Sequence, residues 1–519
     1  MSDPSHGASS PTHNVGAWIA RRAAWSGMDL ALTDAERRLD YAALYQRTLR
    51  CAALLRQAGL APSERVALLL GNRSAYLELV LAAARLGAIA VPINTRLTPR
   101  EIRWTLEDCT PRLLVHEVRL AELAAAACEG LAAPCARIAC PNPYEAHLEA
   151  ARPDAHLEPV TPDHPMLLMY TSGTTGIPKG ALLPHRKTLF NSLNAQLFFG
   201  LRRDDRVLVA LPLFHSFGLS ILSLPTLYAG GTLYLEPRFD PARTWVAVEA
   251  HGITFLGAVP TQLNAMLEQL ESAPRRYETR SLRFLFGAGA PVPVEHIRAF
   301  ERHGLVLKQG FGQTETSILC CLDARDAVRK AGSVGRPVVH ADVRLVSLET
   351  VERDPREWRE VAPGETGEIV VRGPITMLGY WQRPEETANT LRGEWLRTRD
   401  LATRDDEGFL TLVGRSRDMY ISGGENVYPA EIEAVYQEHP DVREIAIVGV
   451  PDPRWGEAGR AYVVLAPGTE LDADALRSWG AERLARFKLP RDFTAVNELP
   501  RTATGKIQKH RLLADESAV

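Results

Sequence analysis

The segment MYTSGTTGIPKG, Met169 to Gly180, gathers three glycines, four Ser/Thr hydroxyls and one lysine into the eleven residues from Tyr170. Glycines such as Gly173 permit the turns that aim backbone amides at an anion. The hydroxyls of Thr171, Ser172, Thr174 and Thr175 add donors, and Lys179 adds positive charge. Together they describe a cradle for a polyphosphate, entered from the apolar run MLL at 166–168. The spacing is not that of a Walker A loop, which closes on Gly-Lys-Ser/Thr; here Pro178 precedes Lys179 and Gly180 follows it.

Such a loop must be held by strands and helices, and the chain alternates between them. RVALLL (65–70) precedes a helical stretch at Ala75–Leu86, RVLVAL (206–211) precedes Ser216–Tyr228, and ITFLGAV (253–259) precedes Thr261–Leu270. RFLFGAG (283–289) reads as a strand ending in a Gly-rich turn, with a helix from about Val294. This is the signature of α/β layering around a mostly parallel sheet. From about Ala341 to Val413 the segments ADVRLV, GEIVVRG and GFLTLVG read instead as strands between Gly, Pro and acidic turns. Past the polar connector RSRDMYISGGENVYP comes a fresh small pattern: a helix from Pro429, strands at 443–450 and 461–466, and a helix over Ala473–Arg486.

The expected fold is therefore α/β, a large N-terminal domain of layered α/β subdomains plus a β-rich subdomain, with a small mobile α+β C-terminal domain. The expected boundaries are a disordered tail at 1–13, the N-terminal domain at 14–414, a hinge at 415–418 and a C-terminal lid at 419–519. The Ala-rich stretch 121–137 reads as a helix with a surface loop, and no internal repeat is visible.

Composition narrows the function classes. At roughly 150 residues per domain, 519 residues allow about three domains, or a large one with a small one. With 45% hydrophobic and 24% charged residues the chain can bury a substantial core. Lys plus Arg total 60 against 63 Asp plus Glu, a formal charge of -3, so nucleic acid is not an expected partner. Seven cysteines, none in a CxxC pair, argue against a disulfide framework or a structural zinc site. The opening residues lack the apolar core of a signal peptide, and no run reaches the roughly 18 apolar residues of a membrane span. No integral membrane segment is expected, a reducing cytoplasm fits best, and association into a homodimer is left open.

YTSGTTGIPKG resembles the phosphate-loop signature of the adenylate-forming superfamily, which contains acyl-CoA synthetases, luciferases and the adenylation domains of peptide synthetases. Five further segments resemble its signatures in the family order: LFHSFGL (213–219), GFGQTE (310–315), TRD (398–400), GRSRDMYISGGENVYP (414–429) and PRTATGK (500–506). The likeness spans nearly the whole chain and implies two-step chemistry. A carboxylate oxygen attacks the α-phosphorus of ATP to give acyl-AMP and pyrophosphate, and a thiol then takes the acyl group.

The resemblance assigns residues. Ser172, Thr174, Thr175 and Lys179 would contact the β- and γ-phosphates. Phe311, where most relatives carry Tyr, would stack on adenine between Gly310 and Gly312. Thr314 would donate to the α-phosphate, and Glu315 would offer a hard oxygen to Mg²⁺. Gly287, Ala288 and Gly289 would let adenine or the acyl group approach the backbone. Asp400 would accept both ribose hydroxyls, with Arg415 beside it; Arg399 stands where Gly is usual, which puts local loop shape in question. Lys506 would bring its charge to the carboxylate and α-phosphate during adenylation. Arg417 occupies the hinge position, Gly423 and Gly424 would leave room for the pantetheine arm of CoA, and Trp455 is either a flank of that arm or domain core.

His215 would gate or orient the substrate carboxylate. Amino-acid-activating relatives carry Asp in this region, so an amino-acid substrate is disfavoured. The candidate pocket walls Phe214, Phe217, Val259, Gly310, Ile318 and Leu319 are apolar or small, which suits a fatty or aryl acid. The chain runs 13 residues beyond Lys506 without a carrier-protein module, so CoA is the expected acceptor. A ligase loading a separate acyl carrier protein, or a non-catalytic nucleotide-binding protein, is the alternative.

Overall fold

The computed structural model describes residues 10–133, 135–171, 178–273, 277–290, 292–416, 418–422, 425–502 and 507–514. It is a mixed α/β structure in two compact units. The first comprises Met1–Ala331, Gly335–Asp342 and Val371–Leu396, and the second Gly332–Val334, Val343–Val370 and Arg397–Val519.

The first unit is built on two large sheets. In the nine-stranded sheet, Leu307–Gln313, Phe284–Gly287, Phe255–Ala258, Arg206–Val209, Thr232–Leu235 and Leu30–Thr33 lie side by side in parallel, with antiparallel strands at both edges. In the seven-stranded sheet, Pro165–Thr171, Ile89–Pro92, Arg65–Leu69, Leu113–Glu117 and Ala136–Cys140 are parallel, and Lys179–Pro184 and Gly379–Tyr380 close one edge antiparallel. Their strands read as continuous apolar runs because both faces are covered: all four residues of Phe284–Gly287 are buried, as is every residue of the helix Ser74–Arg85. Trp245, Val248, Leu285 and Phe300 belong to one core cluster, and Leu69, Val91, Leu114 and Leu168 to another.

The second unit carries most of a five-stranded sheet in which Asp342–Val346, Gly367–Arg372 and Trp395–Arg404 are neighbours and Leu410–Arg415 pairs with the last of these. Its C-terminal part is another five-stranded sheet, with Val442–Asp452 and Gly456–Leu465 as its long antiparallel hairpin and Asp492–Ala495 added in parallel. Helices Pro429–Gln437 and Ala473–Ala481 cover it over a core of Tyr420, Ile432, Tyr436, Ile447 and Val463.

Three local expectations are corrected. The helix from Ala473 stops at Ala481 rather than Arg486, where Gly480 packs so closely on Tyr436 that a Cβ would stand 2.1 Å from its hydroxyl. The stretch 121–137 runs into an edge strand, Ala136–Cys140, whose largely exposed residues give no strong strand pattern. Within the segment read as a disordered tail, Ser10 pairs with Val160 and Pro11–His13 forms a 3-10 turn. All seven cysteines are free thiols. Among the described residues no helix is long and apolar enough to cross a membrane.

Candidate active site

The phosphate-loop segment joins two strands of a hairpin, with Thr171 opposite Lys179 and Tyr170 opposite Gly180. Ser172, Gly173, Thr174 and Thr175 lie outside the described residues. Thr171 Oγ1 donates to the Lys179 carbonyl across it, at 3.4 Å. The root is pinned from the flank: Trp381 N donates to Gly180 O at 2.7 Å, and Gly379 and Tyr380 add a short antiparallel rung. Asp108 ties the same pieces together. It accepts from Tyr170 Oη at 2.6 Å and Arg383 Nη2 at 2.9 Å, and its carbonyl accepts from Trp381 Nε1 at 3.1 Å.

GFGQTE forms the end of a second hairpin, Leu307–Gln313 against Ser317–Leu322, with Thr314 and Glu315 in the turn. Gly312 is required by close approach, since a Cβ there would stand 1.8 Å from Ser317 O. Gln313 N donates to Thr316 Oγ1 at 3.1 Å and tightens the turn. Phe311 is half-buried beside it, and Gly310 is buried against Phe286. Gly287 ends its strand under Val292, followed by buried Ala288 and by Gly289 at φ +91°.

These two hairpins meet through a residue the sequence reading did not single out. Tyr380 Oη donates to Glu315 Oε1 at 2.9 Å, and Lys179 Nζ lies 5.6 Å from the Tyr380 ring centroid and 3.9 Å from Glu386. A flexible cation, a hydroxyl and a carboxylate thus share one place. The Glu315 carboxylate accepts from Tyr380 through Oε1 and offers hard oxygen ligands of the kind a divalent cation takes, so the donor set fits a magnesium–nucleotide.

Behind this cluster the helix His185–Phe199 begins directly after the phosphate hairpin. His185 Nδ1 accepts from Val15 N at 3.1 Å, and burial pushes this imidazole down to about 3, holding it neutral. Arg186 Nη1 donates to the carbonyls of Pro374 at 2.7 Å and Thr376 at 3.0 Å. Lys187 is buried with its Nζ on Ser317 Oγ; burial pushes the ammonium down to about 7, opposed by the charge of Glu315. One turn on, Asn191 accepts from Ile318 N at 3.1 Å and donates to Ser220 O at 2.7 Å, bridging the strand that carries the proposed wall Ile318 and the turn Phe217–Ser223.

His215 leads into the π-helical turn Phe217–Ser223, a local irregularity common at functional sites. Its Nδ1 accepts from Phe217 N at 3.3 Å. The loop is set from outside by buried Asn72, which donates to Leu211 O and accepts from Leu213 N, both at 2.9 Å. Of the expected walls, Phe217, Ile318 and Leu319 are buried, Phe214 and Val259 half-buried; Phe217 meets Phe286 edge to face at 5.6 Å.

In the second unit Asp400 sits opposite Arg415 in adjacent strands, buried, with Arg415 Nε 3.0 Å from Oδ1. Arg399 takes φ +62°, the left-handed conformation that a glycine would adopt without strain, and reaches Glu352 at 3.0 Å. Arg417, Gly423, Gly424 and Lys506 lie outside the described residues. Their flanks are defined: Tyr420–Ser422 pairs with Glu425–Val427, and Arg501 bridges Ile507. Trp455 is not domain core. It is 47% exposed, stacked under Arg454 at 4.7 Å, on a cleft of about 430 Å³ that Asp452, Pro453 and Arg491 complete.

Residues 19–381 match the family described as AMP-binding enzyme, and 431–506 match the AMP-binding enzyme C-terminal domain. The chain belongs to the AMP-binding enzymes. This AMP-binding enzyme is 41% identical to a feruloyl-CoA synthase of an Amycolatopsis species over 95% of this chain and 97% of that one. It is 41% identical to an indoleacetate–CoA ligase of Aromatoleum aromaticum, over 95% and 96%. Its fold matches the o-succinylbenzoate CoA synthetase of Bacillus subtilis in complex with its acyl-adenylate intermediate, at TM-score 0.84 and 32% identity, covering 95% of this chain and 97% of that one. The chain is thus placed in the carboxylate–CoA ligase branch of the adenylate-forming enzymes.

Proposed function

We propose that this chain is an ATP-dependent, AMP-forming carboxylate–CoA ligase whose acid is an aryl or arylalkanoic carboxylate. The observation that carries the reading is the meeting of Lys179, Tyr380 and Glu315 where the phosphate hairpin and the GFGQTE hairpin converge. The acid's carboxylate oxygen attacks the α-phosphorus, pyrophosphate leaves, and the CoA thiol then attacks the acyl carbonyl and expels AMP. The first step brings two anions together, so fixed positive charge and oriented donors are its main requirement. Ser172, Thr174, Thr175 and Lys179 hold the β- and γ-phosphates, Thr314 the α-phosphate, Phe311 the adenine, and Asp400 with Arg415 the ribose. Mg²⁺, when bound at Glu315, supplies further neutralisation of the triphosphate. His215 orients the carboxylate and Lys506 adds charge beside it.

Aromatic acids are preferred in this reading for two reasons. The relatives at 41% identity are named for feruloyl and indoleacetate substrates, and Phe217, backed by Phe286, offers an aromatic wall for a planar ring. For the second step we assign residues 419–519 as a lid turning on the 415–418 hinge, with Gly423, Gly424 and Trp455 along the pantetheine arm. A cytoplasmic location belongs to the same reading, since ATP and CoA are supplied there.

A panel of aryl, arylalkanoic and fatty acids assayed for AMP release with and without CoA tests this assignment. Aryl acids should give the highest kcat/KM, with AMP release dependent on CoA for turnover. Preference for long-chain fatty acids would overturn the substrate assignment, and release of ADP would overturn the reaction.

A further inference from the structure

Lys187 occupies the first turn of the helix that follows the phosphate hairpin, and only 2% of it is exposed. An ammonium carries three donors, and buried charges in proteins are normally paired. Here the one hydrogen-bond partner among the described residues is a neutral hydroxyl, Ser317 Oγ. Ser317 is itself unusual: at φ +60° it holds the left-handed conformation without being a glycine, immediately after the turn that presents Thr314 and Glu315. Single strained residues of this kind persist where surrounding contacts over-determine them.

Glu315 is gripped from the other side as well. Its carbonyl accepts from Met377 N at 2.9 Å and its carboxylate accepts from Tyr380. The strand of chain leading to Met377 is fastened by Arg186, which donates to Pro374 O and Thr376 O. Two adjacent side chains, Arg186 and Lys187, therefore fasten both segments that converge on Glu315, and both spring from the helix that continues the phosphate hairpin.

We propose that Lys187 is a positioning residue for the adenylation half-reaction: through Ser317 it fixes the turn carrying Thr314 and Glu315 in register with the phosphate hairpin. The inference rests on the role given to Glu315 above. It makes no contact with substrate part of the claim, because Lys187 lies behind the turn. What it adds is preorganisation, and a displacement of about 1 Å in such a group costs roughly 10²-fold in rate.

The test uses the full-length enzyme and Lys187→Met, which keeps the volume and removes the charge, with Ser317→Gly as a second variant that removes the hydroxyl while accommodating the positive φ. Acid-dependent ATP–pyrophosphate exchange, conversion of supplied acyl-AMP to acyl-CoA, and calorimetric binding of ATP with and without Mg²⁺ are measured for each. Lys187→Met should lose about 10- to 100-fold in exchange, and the strengthening of ATP binding by Mg²⁺ should shrink. The KM for the acid and the acyl-AMP conversion should stay within about twofold of wild type. Ser317→Gly should show the same split, and decides the matter if Lys187→Met does not fold. Exchange within twofold of wild type, or equal losses in both half-reactions, would overturn the role of Lys187. Absence of exchange in the wild type would instead overturn the enzymatic reading itself, before any variant is compared.

Discussion

Lys187 in the first unit and Arg397 in the second face the same problem, a cation taken out of water, and meet it in opposite ways. Arg397 is 2% exposed and forks onto buried Glu368, with Nε to Oε1 at 3.0 Å and Nη2 to Oε2 at 2.8 Å, while Nη1 lies 2.6 Å from Glu352. Its charge is matched by two carboxylates and its Nε–Nη2 edge is matched to Glu368, the geometry that makes a buried guanidinium part of a scaffold. Lys187 has one hydroxyl. A buried cation held by carboxylates braces the sheet it belongs to, whereas Lys187, held by one hydroxyl, ties its helix to the turn that carries Glu315. The two should therefore respond differently to loss.

The largest effect is expected at Arg397. Glu368→Ala leaves that guanidinium buried beside exposed Glu352 alone and should destabilise the second unit by about 3–5 kcal/mol in urea unfolding, whereas Lys187→Met should melt at or above the wild-type temperature. A destabilisation of similar size from both would erase the distinction between them.

His185 extends the comparison to a base that the fold keeps neutral. Its folded pKa of about 3 lies below the ordinary 6.5, so between these values the unfolded chain binds more protons than the native one. Stability should then fall as the solution is acidified from pH 6.5 towards pH 3, by about 1.4 kcal/mol for each unit crossed from this one group. Between pH 7 and pH 5 the urea midpoint of the wild type should fall further than that of His185→Gln; parallel losses would show that another group controls the acid limb.

A smaller change is expected at Tyr380. Tyr380→Phe keeps the ring under Lys179 but removes the hydrogen bond to Glu315, worth about 1 kcal/mol, so exchange should drop about fivefold. The smallest is at Arg399, where glycine relieves a left-handed backbone by about 1 kcal/mol but gives up an exposed ion pair with Glu352 worth less than that. Arg399→Gly should therefore be neutral to slightly stabilising; a clear loss of stability would mean the ion pair outweighs the strain.

The same contrast explains what could be read from the sequence. The phosphate hairpin, the GFGQTE turn and Asp400 carry chemistry in residue types that local structure alone does not demand, and the apolar runs that place them are buried on both faces. The position of Arg399 was legible as a departure from glycine, and it takes a positive φ that glycine adopts without strain. The junction behind the site was not legible. The helix His185–Phe199 turns Lys187, Thr188, Asn191, Ser192 and Asn194 inward and leaves Leu197 63% exposed, inverting the usual apolar stripe, so periodicity could not mark its buried face. Tyr380 and Trp381 follow Gly379 far along the chain from Glu315 and Gly180; the antiparallel edge of the seven-stranded sheet brings them to Gly180, and the Tyr380 hydroxyl reaches Glu315.

The central claim is that a substrate carboxylate attacks the α-phosphorus of ATP before its acyl group passes to CoA. Turnover of an aryl acid bearing ¹⁸O in both carboxylate oxygens, followed by mass spectrometry of the products, tests it directly. One labelled oxygen should appear in the phosphate of AMP and the other in the thioester carbonyl, with none in pyrophosphate. Unlabelled AMP, or label in inorganic phosphate accompanied by ADP, would contradict the adenylate route.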